Sequence, residues 1–320
     1  MQSPEWQTPY WPEGVAHDVK DYHSPLFKLL DDTAREFPNN PFTVFNGAEK
    51  TFAQVKNTAD RIANFLAEKG IGKGDKVAIF LPNIPHFPEI LFGILKSGAA
   101  AVNCNPVYTP AELNHQLNDS ESRLVFCMDH PQLYPNTVQA IKNTKVETVV
   151  ICNIKSYLPK IKAVLGGLLG KIPKASHHQA GHILYDDMVA NAEPKPPEIT
   201  IDPENDTAVM LYTGGTTGLP KGAELSHVNF TYDVMAGMEF IRLIHSPGKP
   251  AEKLYGGGFH TYLGVLPWYH SFGITVALLS AVLTASRLIC VPDPRDGTPP
   301  FTEVLKTVQK YKPTIMPAVP

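Results

Sequence analysis

Between residues 53 and 153 the chain alternates segments of helical and strand pattern, and that alternation constrains the fold more than any other feature. Val55, Ala59, Ile62, Ala63 and Leu66 recur at helical spacing over residues 53–69, and Gly70 follows as a stop. Residues 76–81 form a short apolar run between Gly74 and Pro82, which predicts a strand. Residues 85–98 open on proline and close on glycine, the asymmetry expected of a helix. A strand over 99–103, a helix over 110–120, a strand over 123–128, a helix over 132–142 and a strand over 148–153 continue the series. Such a pattern predicts layered α/β architecture with a mostly parallel sheet.

A second unit begins after a connector at residues 192–206, rich in Pro, Glu and Asp. Residues 208–212 read as a buried strand leading into a glycine-rich turn. A helix is expected over 226–244, a Gly/Pro/Lys loop over 245–258, strands over 262–266, 288–291 and 314–316, and helices from Gly273 and over 302–310. With 320 residues and roughly 150 per domain, the reading is two α/β units, 1–200 and 201–320, the second ending beside a strand that should be central.

Composition removes several function classes. The net charge of −3 argues against a nucleic-acid binder reading phosphates with a basic face. Cys104, Cys127, Cys152 and Cys290 have no metal-ligand spacing, so reduced thiols are expected. Residues 1–14 hold no apolar segment of a secretory signal. The apolar stretch 271–286 is shorter than the ~20 residues of a membrane span and reads as a buried helix.

The strongest chemical signal is Tyr212-Thr213-Gly214-Gly215-Thr216-Thr217-Gly218-Leu219-Pro220-Lys221-Gly222. Its glycines allow close approach of backbone to an anion, its threonines donate hydroxyls, and Lys221 adds a point charge. That is the chemistry of a polyphosphate cradle; the plain alternative is a hairpin turn. A Walker loop requires Gly-Lys-Ser/Thr. Here Pro220 precedes Lys221 and Gly222 follows it, so that reading fails.

The segment resembles the phosphate loop of the adenylate-forming superfamily, with Gly214 where serine is usual, a substitution familiar among long-chain fatty acid–CoA ligases. Asn105 to Leu113, with His115, Gln116, Leu117, Asp119 and Ser120, resembles a further stretch of those ligases. So do Leu266 to Gly273 and Pro292 to Asp296. The resemblance implies the first part of an AMP-binding domain. It also implies ATP and Mg2+, with a fatty acid and coenzyme A as co-substrates. Thr213, Gly214, Gly215, Thr216, Thr217, Gly218 and Lys221 would grip the phosphates, with Thr213 near the metal. His270, Phe272 and Gly273 would lie at the acyl substrate, and Lys221, Thr217 and His270 would act in catalysis. The apolar side chains of 273–283 would wall the acyl tail. The adenine- and ribose-binding motifs and the small C-terminal domain with its lysine are expected beyond Pro320, so the 320 residues alone are expected not to turn over. Two other readings stay open: an adenylating ligase for a shorter or aryl acid, and a non-catalytic chain binding nucleotide or membrane.

Residues 157–174 place Ile161, Val164, Leu165, Leu168, Leu169 and Ile172 on one helical face. Lys155, Lys160, Lys162, Lys171 and Lys174 accompany them, and no acidic residue follows until Asp186. An interfacial membrane helix and an ordinary surface helix both have this pattern. The expected location is cytoplasmic, with peripheral contact at the inner face of the membrane through 155–174. No nucleic-acid partner is expected, and a homodimer is left open.

Overall fold

Threonines start two of the helices that frame the first half. Thr51 accepts from the Gln54 amide while the Gln54 side chain accepts from the Thr51 amide; Thr109 and Glu112 repeat the device, with Pro110 at the first helical position. The computed structural model describes residues 19, 22–170, 172–213, 220–245 and 260–319. Its strands are β1 (Pro41–Phe45), β2 (Ala48–Thr51), β3 (Lys76–Phe80), β4 (Ala100–Asn103), β5 (Leu124–Met128), β6 (Thr148–Cys152), β7 (Ile183–Leu184), β8 (Thr207–Thr213), β9 (Lys221–Ser226), β10 (Thr261–Gly264) and β11 (Arg287–Cys290). Its helices are α1 (Lys28–Glu36), α2 (Phe52–Glu68), α3 (His86–Ser97), α4 (Pro110–Asp119), α5 (Leu133–Ala140), α6 (Lys160–Leu168), α7 (Tyr185–Asn191), α8 (His227–His245), α9 (Ser271–Gly273), α10 (Ser280–Leu283) and α11 (Thr302–Tyr311). A π-helical turn, Ile274–Leu279, joins α9 to α10.

Two sheets result, in the orders β10-β11-β1-β2 and β7-β6-β5-β3-β4-β8-β9. Neighbours are parallel except in the pairs β1–β2 and β8–β9. Both sheets draw strands from either side of residue 200, so the boundary expected there does not separate the sheets. Thr43 and Val44 of β1 pair with Leu288 and Ile289 of β11, tying the start of the chain to its far end. The expected strand near residue 315 is a single parallel bridge, Tyr262 to Ile315.

Helix α3 is buried along its whole length and packs on α2. Contact is closest at Gly93, where a Cβ would stand 2.6 Å from the Ile62 side chain. Its charged residues are paired. Lys96 donates to Asp31 and Asp60. Glu89 accepts from Lys50 at 2.9 Å, from the Tyr185 hydroxyl at 2.8 Å and from the Tyr157 hydroxyl. Gly98 closes the helix in the left-handed conformation, at φ 87°. All four cysteines are free and buried, and burial pushes their thiols up, Cys127 to about 12. Of the apolar stretch 271–286, residues 273–283 are helical and largely buried, while Ser271 and Phe272 are exposed. No helix among the described residues is long and apolar enough to cross a membrane.

The basic stretch 157–174 is not one helix. Tyr157 ends a 3-10 turn and is buried against His86. Pro159 then starts α6, and Gly170, at φ 63°, follows its last turn.

Buried histidines set an acid limit on the fold. The Leu26 amide donates to His227 Nδ1 at 3.0 Å, so that nitrogen must be unprotonated, and burial lowers the His227 pKa to about 4. Among the described residues neither ring nitrogen of His86 has a hydrogen-bond partner, and burial with nearby Lys50 holds its pKa well down. The unfolded chain takes up these protons below pH ~6.5 while the folded chain does not. Stability is therefore expected to fall as pH drops from about 6.5 towards 4, by about 3 kcal/mol for His227. Urea unfolding across that range measures it, and His227→Gln should flatten the slope.

Candidate active site

Strand β8 is apolar because it crosses the sheet interior: Ala208 to Leu211 are buried. The helix expected over 226–244 is α8, His227–His245. Between it and the glycine-rich turn lies β9, which the sequence reading did not assign, antiparallel to β8, with Thr213 opposite Lys221 and Tyr212 opposite Gly222. The hairpin is therefore real, and residues 214–219 connect its two legs. Gly214, Gly215, Thr216, Thr217 and Gly218 themselves lie outside the described residues.

Helix α4 holds both legs. The Tyr212 hydroxyl donates to Asp119 at 2.6 Å, and His115 Nε2 donates to the Pro220 carbonyl at 3.1 Å. Burial, and then the bond to Asp119, push the Tyr212 hydroxyl pKa up. The segment 105–120, assigned no more than a structural role by its sequence, is thus the clamp of the hairpin. Gly222 is required here because a Cβ would lie 2.9 Å from the Tyr212 ring. Gly222→Ala is expected to cost about 1–3 kcal/mol by displacing that ring. Tyr212→Phe, which removes only the hydrogen bond, should cost about 1 kcal/mol. Thermal melts of the two variants separate the effects.

Thr213 and Lys221 are exposed at the open end of this ladder. Among the described residues the Lys221 ammonium has no carboxylate within ion-pair distance, unlike Lys50 of β2, which pairs with Glu89. A cation without a carboxylate partner among the described residues and a hydroxyl thus stand opposite each other at the mouth of the Gly/Thr connection. Among the described residues no group of three or more His, Cys, Asp and Glu side chains is placed to hold a metal ion. The exposed Thr213 hydroxyl is a hard oxygen that suits magnesium, an ion that keeps phosphate oxygens and waters for most of its shell.

The second cluster lies at the exit of β10. His270 is exposed and its Nδ1 accepts from the Phe272 amide at 3.4 Å; Phe272 is 44% exposed. Gly273 is buried, and a Cβ there would come within 2.1 Å of the Pro267 carbonyl oxygen. Its place is set by helix–loop packing rather than by an open pocket. Of the residues of 273–283 expected to wall an acyl tail, Ile274, Ala277, Leu278, Leu279, Ala281 and Val282 are buried in the main core. A π-helical turn interrupts them, a feature frequent at functional sites.

Two asparagines that the sequence reading passed over position this segment. Asn83 donates to the carbonyls of Gly264 (2.9 Å) and Leu266 (2.8 Å) and accepts from the Trp268 amide (2.9 Å). Asn103 donates to the Trp268 carbonyl at 3.5 Å, while its own carbonyl accepts from Gln116 of α4. A hydrogen-bonded route therefore joins the hairpin clamp to the His270 segment. Both asparagines close or follow apolar strands, where a polar residue is the signal that was available.

Between the sheets, at the carboxyl ends of β3, β4, β5, β10 and β11, runs a cleft of about 1290 Å³. Open α/β sheets bind ligands at this place. Its lining includes Asn83, Asn105, Tyr108, His130, Tyr269 and Arg295. Tyr269 neighbours His270, but Thr213, Lys221, His270 and Phe272 are not among the lining residues.

The sequence profile of the family described as AMP-binding enzyme matches residues 30–320. The chain belongs to that family. Among its curated relatives, a long-chain-fatty-acid–CoA ligase of Bacillus subtilis is 32% identical over all of this chain. One of Salmonella typhimurium is 29% identical over 98% of it. The chain spans about half the length of these AMP-binding relatives, 54% of each. Solved structures share the fold. Apo MbtA of Mycobacterium smegmatis superposes with TM-score 0.71 at 24% identity, over 92% of this chain and 48% of its own. A long-chain-fatty-acid-CoA ligase (FadD1) of Archaeoglobus fulgidus does so with TM-score 0.70 at 21% identity, over 93% of this chain and 52% of its own. The α/β architecture read from the sequence is thus the architecture of AMP-binding enzymes, in the portion matched here.

Proposed function

We propose that this chain carries the phosphate-gripping hairpin of an acyl-activating ligase that uses ATP and coenzyme A, with a long-chain fatty acid as its substrate. The carrying observation is the hairpin itself: a lysine with no carboxylate partner among the described residues stands opposite a threonine at the mouth of a Gly/Thr connection, and α4 fixes both legs. The relatives named as long-chain ligases span the whole chain and support the substrate class.

The first step brings a carboxylate anion to the α-phosphate of ATP. A P–O bond forms to the acyl oxygen, and the bond to pyrophosphate breaks with the electron pair leaving on pyrophosphate. Thr213, Gly214, Gly215, Thr216, Thr217, Gly218 and Lys221 hold the departing phosphates, with Lys221 and Thr217 stabilising the negative charge that builds there. Magnesium, when bound beside Thr213, supplies further charge neutralisation. His270 and Phe272 orient the carboxylate end. In the second step the thiol of coenzyme A attacks the acyl carbon, the C–O bond to AMP breaks, and the thiol proton is lost. The cleft at the strand ends is the approach for these substrates.

ATP–pyrophosphate exchange by the full-length protein tests the reading. Exchange stimulated by palmitate well above that by octanoate or benzoate supports it. Exchange with benzoate or short acids alone transfers the site to another acid. Absence of exchange with every acid, while ATP is still bound, leaves a nucleotide-binding chain.

A further inference from the structure

Helix α6 turns its apolar side outward. Ile161, Val164, Leu165 and Leu169 are 75%, 60%, 52% and 65% exposed. Scattered exposed aliphatics are ordinary, but four on one helical face form a patch. At 3.6 residues per turn they cover an arc of roughly 140°. Positions 160 and 162 fall at its two edges, and the side that faces the protein carries the small residues Gly166 and Ala163. Ile172 returns over the helix, close enough that a Cβ on Gly166 would meet it at 3.1 Å. The connection therefore folds back and holds the patch in place.

The segment that carries this patch holds charge of one sign. Residues 155–185 contain five lysines and no aspartate or glutamate. Lys155 precedes the helix, Lys174 follows it, and both are exposed. Lys162 reaches the Asn46 carbonyl at 2.7 Å and has no carboxylate partner among the described residues. Of the acids near it, Glu49 pairs with Arg287, Glu303 with Lys306 and Asp293 with Arg295, and Asp186 is hydrogen-bonded to Ser156. The patch is also continuous with the large cleft, since Lys162 and Pro173 line it.

From the exposed apolar arc of α6 and its one-sided lysine frame, we infer that this face docks on an anionic lipid bilayer. Aliphatic side chains enter the headgroup boundary, and lysines remain at the level of the lipid phosphates, as interfacial helices do. The mouth of the cleft then lies beside the bilayer surface. A second copy of the chain is the poorer occupant, because Lys155, Lys162 and Lys174 would face the same lysines of the other copy across a two-fold interface. This inference needs only the surface, so it stands or falls apart from the ligase reading.

The test is co-sedimentation of the purified protein with phosphatidylcholine vesicles, with and without phosphatidylglycerol. The wild type is expected to bind the phosphatidylglycerol vesicles and to lose binding as salt rises. Combining Ile161→Ser, Leu165→Ser and Leu169→Ser should lower the partition coefficient about tenfold or more, with an unchanged circular dichroism spectrum. Lys155→Gln and Lys174→Gln should each lower it about fivefold on anionic vesicles only. Undiminished binding by both sets of variants overturns the inference. So does absence of wild-type binding, and so does a wild-type dimer that the serine variant dissolves without any vesicle binding. Acid-dependent exchange of pyrophosphate is read separately and survives each of these outcomes if the ligase reading holds.

Discussion

Lys221→Ala is expected to lower the rate of acyl adenylation by about 10²–10³-fold, the usual effect of removing one preorganised charge from a developing anion. The expectation rests on where the residue stands. Lys221 opens β9 directly opposite Thr213, and no carboxylate among the described residues neutralises it. Its side chain is exposed and makes no ion pair among the described residues, and an exposed substitution of this kind changes stability by about 0.5 kcal/mol or less. Activity and stability should therefore separate. Exchange of pyrophosphate should collapse while the thermal midpoint holds. Lys221→Arg keeps the charge but replaces a compact ammonium by a planar fork, so partial recovery is expected. The loss should appear mainly in kcat if the lysine acts on the departing phosphates, and mainly in KM if it only holds ground-state ATP. Near-normal exchange by Lys221→Ala would remove the hairpin from the reaction.

Much of this architecture was legible because local and global signals agree. The run from 53 to 153 gave helices and strands whose ends lie within one to two residues of those observed. Caps at Thr109 and Gly98 and prolines at the helix starts mark the same boundaries that packing enforces. The hairpin strand β9 was not legible. Lys221–Ser226 has the burial pattern of an exposed edge strand, with no buried residue among six, so it lacks the apolar run that reveals interior strands. β1 and β2 escaped notice for a related reason: they are short, and β1 gains its partner β11 more than 240 positions later. Site residues divided likewise. Glycines and threonines around a lysine carry their chemistry in sequence. Asn83 and Asn103 act through contacts with residues 165–185 positions away, which no local pattern encodes. The packing demand at Gly273 was not legible either: the Pro267 carbonyl leaves no room for a side chain there.

Lys96→Met is expected to destabilise the protein by about 3–5 kcal/mol, the range for one partner removed from a buried ion pair. Lys96 is 3% exposed and sits between Asp31 and Asp60, whose side chains are 28% and 7% exposed. Methionine fills the volume of the aliphatic stem, so the loss is electrostatic rather than a cavity. Asp60 would keep Lys56 at 2.6 Å, but Asp31 would be left with Lys56 at 3.9 Å only. Two carboxylates would then share one cation that is itself 36% exposed. Urea unfolding should show the full effect near neutral pH. It should shrink in acid, where protonation neutralises the stranded carboxylates. Combining Lys96→Met with Asp60→Leu should recover a substantial part, because the apolar pair leaves no buried charge. The consequence reaches the candidate site through the chain itself. Helix α3 follows β3 after the short turn that carries Asn83, and Asn83 holds the exit of β10 by three hydrogen bonds. A loosened α3 should therefore weaken adenylation in the surviving folded fraction as well. Normal specific activity of that fraction would show that Asn83 is positioned by β3 alone.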